Sequence, residues 1–146
     1  MRARFWERYA LADLAPDEWE ALCDGCGRCC LNKLEDEDSG EVVYTRVACA
    51  LLHPAGGCRD YPKRQEKVPS CVALTAENVA TIAWLPRTCA YRLRAQGRPL
   101  YDWHPLISGT ALSVQRAGIS VVGRCVSETL VAEDDLEAYV VRWKGL

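Results

Sequence analysis

The sequence predicts a small α+β fold, rich in helices, with short strands and long irregular loops. The length of 146 residues suits one domain. Apolar residues make up 49% and charged residues 26%, which is ordinary globular composition. Four of the nine cysteines fall within residues 23–30, a stretch with two glycines and no helical or strand periodicity.

The N-terminal quarter favours two short helices, over residues 5–9 and residues 16–22. Pro16 suits the first position of the second helix, because its missing N–H would have no partner there. Asp17 and Glu18 then lie at the positive end of the helix dipole.

The middle of the chain favours loops around one strand. Residues 23–30 form a tight loop that needs its glycines, and the acidic residues 35–40 form a turn. Residues 41–47 have the β-branched and aromatic composition of a strand. Residues 49–71 are rich in Gly, Pro and charge, and we expect them to be irregular.

Two helices follow. Thr75 is a plausible N-cap for a helix over residues 76–84, which Pro86 would end. A second helix over residues 87–96 would end at Gly97.

The C-terminal third predicts a loop, two strands and a closing helix. The loop covers residues 101–109, and the strands cover residues 119–123 and 125–131 and would pair with each other. Residues 133–143 begin with acids and end with bases, as a helix dipole favours.

Charge and hydropathy restrict the partners and the compartment. The net charge of -2 provides no overall basic excess to attract a nucleic-acid backbone, so we expect no nucleic-acid partner. No apolar signal segment and no membrane span is recognisable, so we expect no membrane partner and a cytoplasmic protein. In a reducing cytoplasm, dense cysteines indicate metal binding or catalysis rather than disulfides.

The cysteine cluster is the strongest chemical signal in the chain. Cys23, Cys26 and Cys29 repeat a C-x-x-C step, which lets three thiolates converge on one metal centre. Gly25 and Gly27 permit the positive φ angles that such turns need. Zinc accepts such thiolates in a tetrahedral site, and iron accepts them in an iron–sulfur cluster.

Cys30 complicates a single centre, because adjacent side chains diverge. It is either a ligand of a second metal or a spare thiol. Four downstream cysteines can complete one or two sites: Cys49, Cys58, Cys71 and Cys89. Cationic side chains within six residues of a cysteine can donate hydrogen bonds to sulfur: Arg28, Arg59, Lys63, Arg64, Arg87 and Arg92. The cofactor is therefore zinc or iron, in a mononuclear, binuclear or iron–sulfur form, within one metal-binding domain over residues 1–146.

The run at residues 23–30 resembles the YcgN-type branch of the CxxCxxCC family, which is described as zinc- or iron-chelating. The resemblance spans about residues 19–119 and includes Lys33-Leu34, Cys58-Arg-Asp-Tyr61 and Trp103-His-Pro-Leu106. It implies eight ligand cysteines, with Cys125 outside the set. The cysteine motif is also similar to that of flagellin lysine methylases, which are described as depending on an iron–sulfur cluster.

Three functions stay open at this point, and whether the protein is an enzyme is uncertain. The first is a protein that binds zinc or iron structurally or for metal handling. The second is an iron–sulfur-dependent redox or methyl-transfer enzyme. The third is a protein-interaction module stiffened by zinc, with an unidentified protein partner. His104 is either a metal ligand or proton carrier, or a loop histidine that hydrogen-bonds backbone.

Overall fold

The computed structural model describes residues 1–146 and confirms the α+β class. The α-helices are α1 Phe5–Arg8, α2 Pro16–Ala21, α3 Arg64–Lys67, α4 Ala90–Ala95, α5 Pro105–Ser108 and α6 Leu112–Arg116. The 3-10 helices are Leu11–Asp13, Arg28–Cys30, Tyr61–Lys63, Val79–Thr81, Glu128–Leu130 and Glu133–Tyr139. The strands are β1 Leu31–Glu35, β2 Val42–Ala48, β3 Val126–Ser127 and β4 Val140–Val141.

The chain divides into two compact units. The first unit contains Met1–Gly25 and Leu74–Ile119, and the second contains Cys26–Ala73 and Ser120–Leu146. The division falls within the cysteine cluster, between Gly25 and Cys26. A single domain over residues 1–146 stays a prediction. No helix of the chain is both long and apolar enough to cross a bilayer.

The core of the first unit forms where α2 and α4 bury their apolar faces. Its fully buried members are Leu22, Val79, Leu85, Ala90, Tyr91 and Leu100. The Tyr91 hydroxyl donates to the Trp19 carbonyl at 2.6 Å, and the two rings lie 4.7 Å apart. Burying each large apolar side chain contributes about 1.5–3 kcal/mol, so this cluster stabilises a unit whose helices are only one or two turns long.

The second unit is built on a four-stranded sheet with β2 in the middle. Strand β2 pairs antiparallel with β1 and β4 and parallel with β3. The acidic turn is confirmed: the Asp36 carboxylate accepts the N–H groups of Asp38 and Ser39, both at 2.8 Å. The strand predicted over residues 41–47 is confirmed as β2, and Leu31, Tyr44, Ala48 and Val121 form the core behind the sheet.

The helix predicted over residues 76–84 is wrong. Only the 3-10 turn Val79–Thr81 forms there. The Thr75 hydroxyl accepts the Asn78 N–H at 3.1 Å, while the Asn78 side chain accepts the Thr75 N–H at 2.8 Å. These local bonds compete with a helical ladder and close a turn instead. The neighbouring prediction over 87–96 is confirmed in part, because α4 begins only at Ala90.

The predicted strand pair at residues 119–123 and 125–131 is also wrong. Residues 119–123 form no strand, and β3 pairs with β2 instead. The closing helix over residues 133–143 is a 3-10 helix that ends at Tyr139, because Val140–Val141 continues into the sheet as β4. Long-range pairing with β2 overrides the local pattern at both places.

The loop predicted over residues 101–109 contains helix α5. The His104 ring accepts the Leu106 N–H at 3.0 Å as an N-cap, and Pro105 occupies the first helical position. Proline at that position was the missed signal. Helix α6 was not predicted. Residues 49–71 are irregular as expected, apart from Tyr61–Lys63 and α3.

Glu18 makes the first unit sensitive to acid. Its side chain is 1% exposed, and it pairs with the Arg2 guanidinium at 2.7 Å. It also accepts the Ala15 N–H at 2.9 Å. The hydrogen bond from Arg2, followed by those from backbone, lowers the pKa of Glu18 from 4.5 to about 2.

We predict that Glu18→Gln lowers stability at neutral pH and flattens its dependence on acid. A lowered pKa contributes stability that is present above the unfolded value and is lost as the pH falls towards 2. Urea denaturation, followed by far-UV circular dichroism between pH 7 and pH 3, measures this. Parallel stability curves for the two proteins would contradict the prediction.

Candidate metal centre

The predicted glycine loop forms as expected, and Gly27 fixes its shape. Gly27 has a φ of 77° and begins the 3-10 turn Arg28–Cys30. A Cβ atom at Gly27 would lie 2.6 Å from Cγ2 of Val121, which is closer than two carbon atoms can approach. Gly25 also has a positive φ of 73°, but a Cβ there would meet open space. Position 27 therefore requires glycine both for its positive φ and for its close approach to Val121, whereas position 25 requires glycine only for its positive φ.

Cys26 and Arg28 anchor the loop inside the second unit. Cys26 is buried, and its carbonyl accepts the Val121 N–H at 2.9 Å. Its Sγ accepts the Arg28 N–H at 3.5 Å. The Arg28 side chain is fully buried, and its guanidinium donates to the Lys144 carbonyl. The bond that Arg28 gives to sulfur therefore comes from its backbone N–H.

Cys30 lies among other thiols. The Cys49 N–H donates to the Cys30 carbonyl at 2.8 Å, which joins the end of β2 to the start of β1. The pKa of Cys30 is raised, first by its hydrogen bond with Cys29 and then by burial. Negative charge at Cys29, Cys49 and Cys71 raises it further. These three cysteines therefore lie close enough to Cys30 for their charge to raise its pKa.

Cys49 extends this group to a fifth thiol. Burial raises the pKa of Cys49, and a backbone hydrogen bond at Leu51 partly opposes the effect. Charges at Glu128, Cys58 and Cys71 raise it as well. We call Cys29, Cys30, Cys49, Cys58 and Cys71 the thiol cluster. All five belong to the second unit.

The remaining predicted ligands have different settings. Cys26 lies in the second unit, as described above, whereas Cys23 and Cys89 lie in the first. Cys23 is exposed, and its Sγ accepts the Gly25 N–H at 3.4 Å. Cys89 is the residue before α4 and packs against the core of the first unit. Cys125, which the sequence places outside the set, packs against the core of the second unit.

The donor atoms suit zinc or iron, because thiolate sulfur is the ligand that both metals take in cysteine-rich sites. All nine cysteines are free thiols. No group of three or more Cys, His, Asp or Glu side chains is arranged to hold a metal ion. The structure therefore groups the donors without closing a coordination sphere.

Two residues beside the thiol cluster were missed by sequence reasoning. Lys33 Nζ donates to the carbonyls of Cys29 and Leu31, at 3.0 and 2.6 Å. The Glu128 carboxylate accepts the Ala50 N–H and the Asn32 side-chain amide, both at 3.0 Å. No sequence signal pointed to Glu128. Lys33 lies only four residues from Cys29, and this spacing is the sequence signal that indicates a cation beside the thiols.

His104 has a structural role. Its ring is buried, with Nδ1 bonded to the Leu106 N–H and Nε2 to the Leu22 carbonyl at 2.8 Å. Burial lowers the pKa of His104. Both ring nitrogens therefore have backbone hydrogen-bond partners. This arrangement matches the expectation of a loop histidine that hydrogen-bonds backbone.

The fold and the cluster together define a small cysteine-rich α+β protein with grouped thiols. The family model CxxCxxCC, described as a "Putative zinc- or iron-chelating domain", matches residues 22–90. A UPF0260 protein of Cellvibrio japonicus (strain Ueda107) is 58% identical over 140 residues, which cover 95% of each chain. One from Rhodopseudomonas palustris (strain HaA2) is 55% identical over 144 residues, or 97% of this chain and 85% of the relative.

This chain belongs to the UPF0260 family. The family model confirms the resemblance to the CxxCxxCC family that the sequence motifs indicated. No solved structure matches the chain significantly.

We predict that Gly27→Ala destabilises the protein more than Gly25→Ala. Both variants place alanine at a positive φ, which costs about 1–2 kcal/mol. Only Gly27→Ala also forces a contact with Val121, for which overpacking costs about 1–3 kcal/mol more. The free energy of unfolding in urea, measured at equal metal content, gives the difference. Equal values for the two variants would show that Val121 moves away at no cost.

Proposed function

We propose that this protein binds zinc or iron through the thiolates of the thiol cluster. Cys23, Cys26 and Cys89 remain candidate ligands on the basis of the sequence pattern. We propose that the protein works in the cytoplasm, because cysteines that serve as metal ligands are typical of a reducing compartment.

One observation carries this proposal: the Cys30 thiol lies near enough to three other cysteines for their charges to affect its pKa. Its pKa is raised because Cys29, Cys49 and Cys71 oppose a further negative charge nearby. A metal cation has the opposite effect on the ionisation of these thiols, because it displaces the thiol protons and stabilises the thiolates.

The number of thiols supports more than one metal ion per chain. A structural zinc ion takes four ligands. The thiol cluster alone contains five cysteines, and adjacent residues such as Cys29 and Cys30 diverge. A binuclear zinc site or an iron–sulfur cluster uses these sulfurs better than one zinc ion does. Zinc would supply structural stability, whereas an iron–sulfur cluster would supply electron transfer.

We predict that Cys30→Ser lowers both metal content and melting temperature. A serine oxygen is a poorer ligand than a thiolate, and metal binding contributes to folding in such sites. Elemental analysis and thermal unfolding of anaerobically purified protein measure the two effects. Cys125→Ser is the matched control, because Cys125 is a thiol of the second unit that packs against the core. Full metal content in Cys30→Ser would remove Cys30 from the site.

We predict more than one metal ion per chain in anaerobically purified wild-type protein. A brown protein that contains iron and sulfide would favour the redox or methyl-transfer enzyme, because thiolate-to-iron charge transfer absorbs visible light. A colourless protein that contains zinc would favour structural metal binding or a zinc-stiffened interaction module, because a d¹⁰ ion lacks this transition. A ratio of one metal ion or fewer would contradict the multinuclear site.

A further inference from the structure

We propose that Lys33 supplies the fixed positive charge that stabilises the thiolates of Cys29 and Cys30, and thereby sets the affinity of the thiol cluster for metal. This inference rests on the proposed function. Lys33 is a positioning and charge-compensating residue and not itself a ligand.

Three contacts hold the Lys33 ammonium in place. It donates to the Cys29 carbonyl at 3.0 Å and to the Leu31 carbonyl at 2.6 Å. It also lies 4.9 Å from the centre of the Tyr44 ring, close enough for a cation–π contact. Residues 33 and 44 are partners in the register of β1 and β2, so the sheet itself places the ring beside the amine. The position of the charge is therefore set by the strand pairing.

The charge of Lys33 is coupled to the sulfurs. The Lys33 Nζ is bonded to the Cys29 carbonyl, so the ammonium lies beside the residue that carries the first thiol and next to the residue that carries the second. A positive charge beside a thiol stabilises its thiolate form. A half-buried cation is screened less by water than an exposed one, and its effect on the sulfurs is correspondingly larger.

Two other cations of the second unit are engaged elsewhere. The Arg28 guanidinium is directed to the Lys144 carbonyl. Lys67 lies near Cys58, but it is 55% exposed and pairs with Asp60 at 2.6 Å. Glu128, beside Cys49, adds negative charge. Thiolates around a divalent ion already leave a net negative charge, so the site requires a cation, and Lys33 is placed to supply it.

Three variants separate the charge from the hydrogen bonds. Lys33→Arg keeps the charge and the donors, Lys33→Gln keeps a donor without the charge, and Lys33→Met removes both. Lys144→Met is the control, because Lys144 is an exposed lysine of the same unit that lies far along the chain from every cysteine of the thiol cluster. Zinc affinity is measured anaerobically by competition with a chromophoric chelator, and thermal unfolding of the metal-free proteins checks that each variant folds.

We expect Lys33→Met and Lys33→Gln to lose about 10–100-fold in zinc affinity, the range typical for residues that support metal ligands. We expect Lys33→Arg and Lys144→Met to keep an affinity close to that of wild type, because both variants keep the positive charge beside the thiols. In Co²⁺-loaded protein, losing the cation should also move the thiolate-to-cobalt charge-transfer band to longer wavelength. If Lys33 only supported the fold, its replacement would leave the position of this charge-transfer band unchanged.

Wild-type affinity in Lys33→Met would overturn the inference. So would wild-type affinity in Lys33→Gln, because that result assigns the role to the carbonyl contacts instead of the charge. If Lys33→Met does not fold, the comparison of Lys33→Gln with Lys33→Arg decides the question. Failure of wild-type protein to bind zinc or Co²⁺ would instead refute the proposed function, and the inference about Lys33 with it.

Discussion

The electrostatic cost of ionising neighbouring thiols is the constraint on which the thiol cluster of the second unit depends. Cys29, Cys30, Cys49, Cys58 and Cys71 are held near one another, and burial and neighbouring charge raise the pKa values of Cys30 and Cys49. A bound cation would oppose this effect, because it stabilises the thiolate forms of Cys30 and Cys49. Structural zinc binding contributes about 10–16 kcal/mol, which is comparable to the whole stability of a domain.

The sheet holds the cluster together because its strands end at the cysteines. Strand β1 begins directly after Cys30, and β2 ends directly before Cys49. The bond between the Cys49 N–H and the Cys30 carbonyl continues the ladder past the last strand pair. On the other side, the contact between Gly27 and Val121 leaves no room for a side chain in the turn. Regular structure thus positions donors that lie in irregular segments.

Charges of opposite sign flank the cluster, and each is fixed by backbone contacts. Lys33 is bonded to carbonyls beside Cys29, whereas Glu128 is bonded to the N–H of Ala50 beside Cys49. Lys33 favours the thiolates, and Glu128 opposes ionisation of Cys49. The two sides of the cluster therefore differ in electrostatic environment, which gives the sulfurs unequal tendencies to ionise. Neutral neighbours on both sides would not produce such a difference in electrostatic environment.

The sequence by itself determined the α+β class, the donor type and the glycine loop, because helix signals, C-x-x-C spacing and glycine conformation act over a few residues. The tertiary structure decided the partners of β3 and β4 and the places of Lys33 and Glu128. Residues 119–131 carry strand composition, but their pairing depends on β2, which lies about 80 residues earlier. Residues 49–71 show no periodicity that could place Cys58 and Cys71 near Cys49. Contacts between distant segments depend on packing and strand register, and neither is encoded in local spacing.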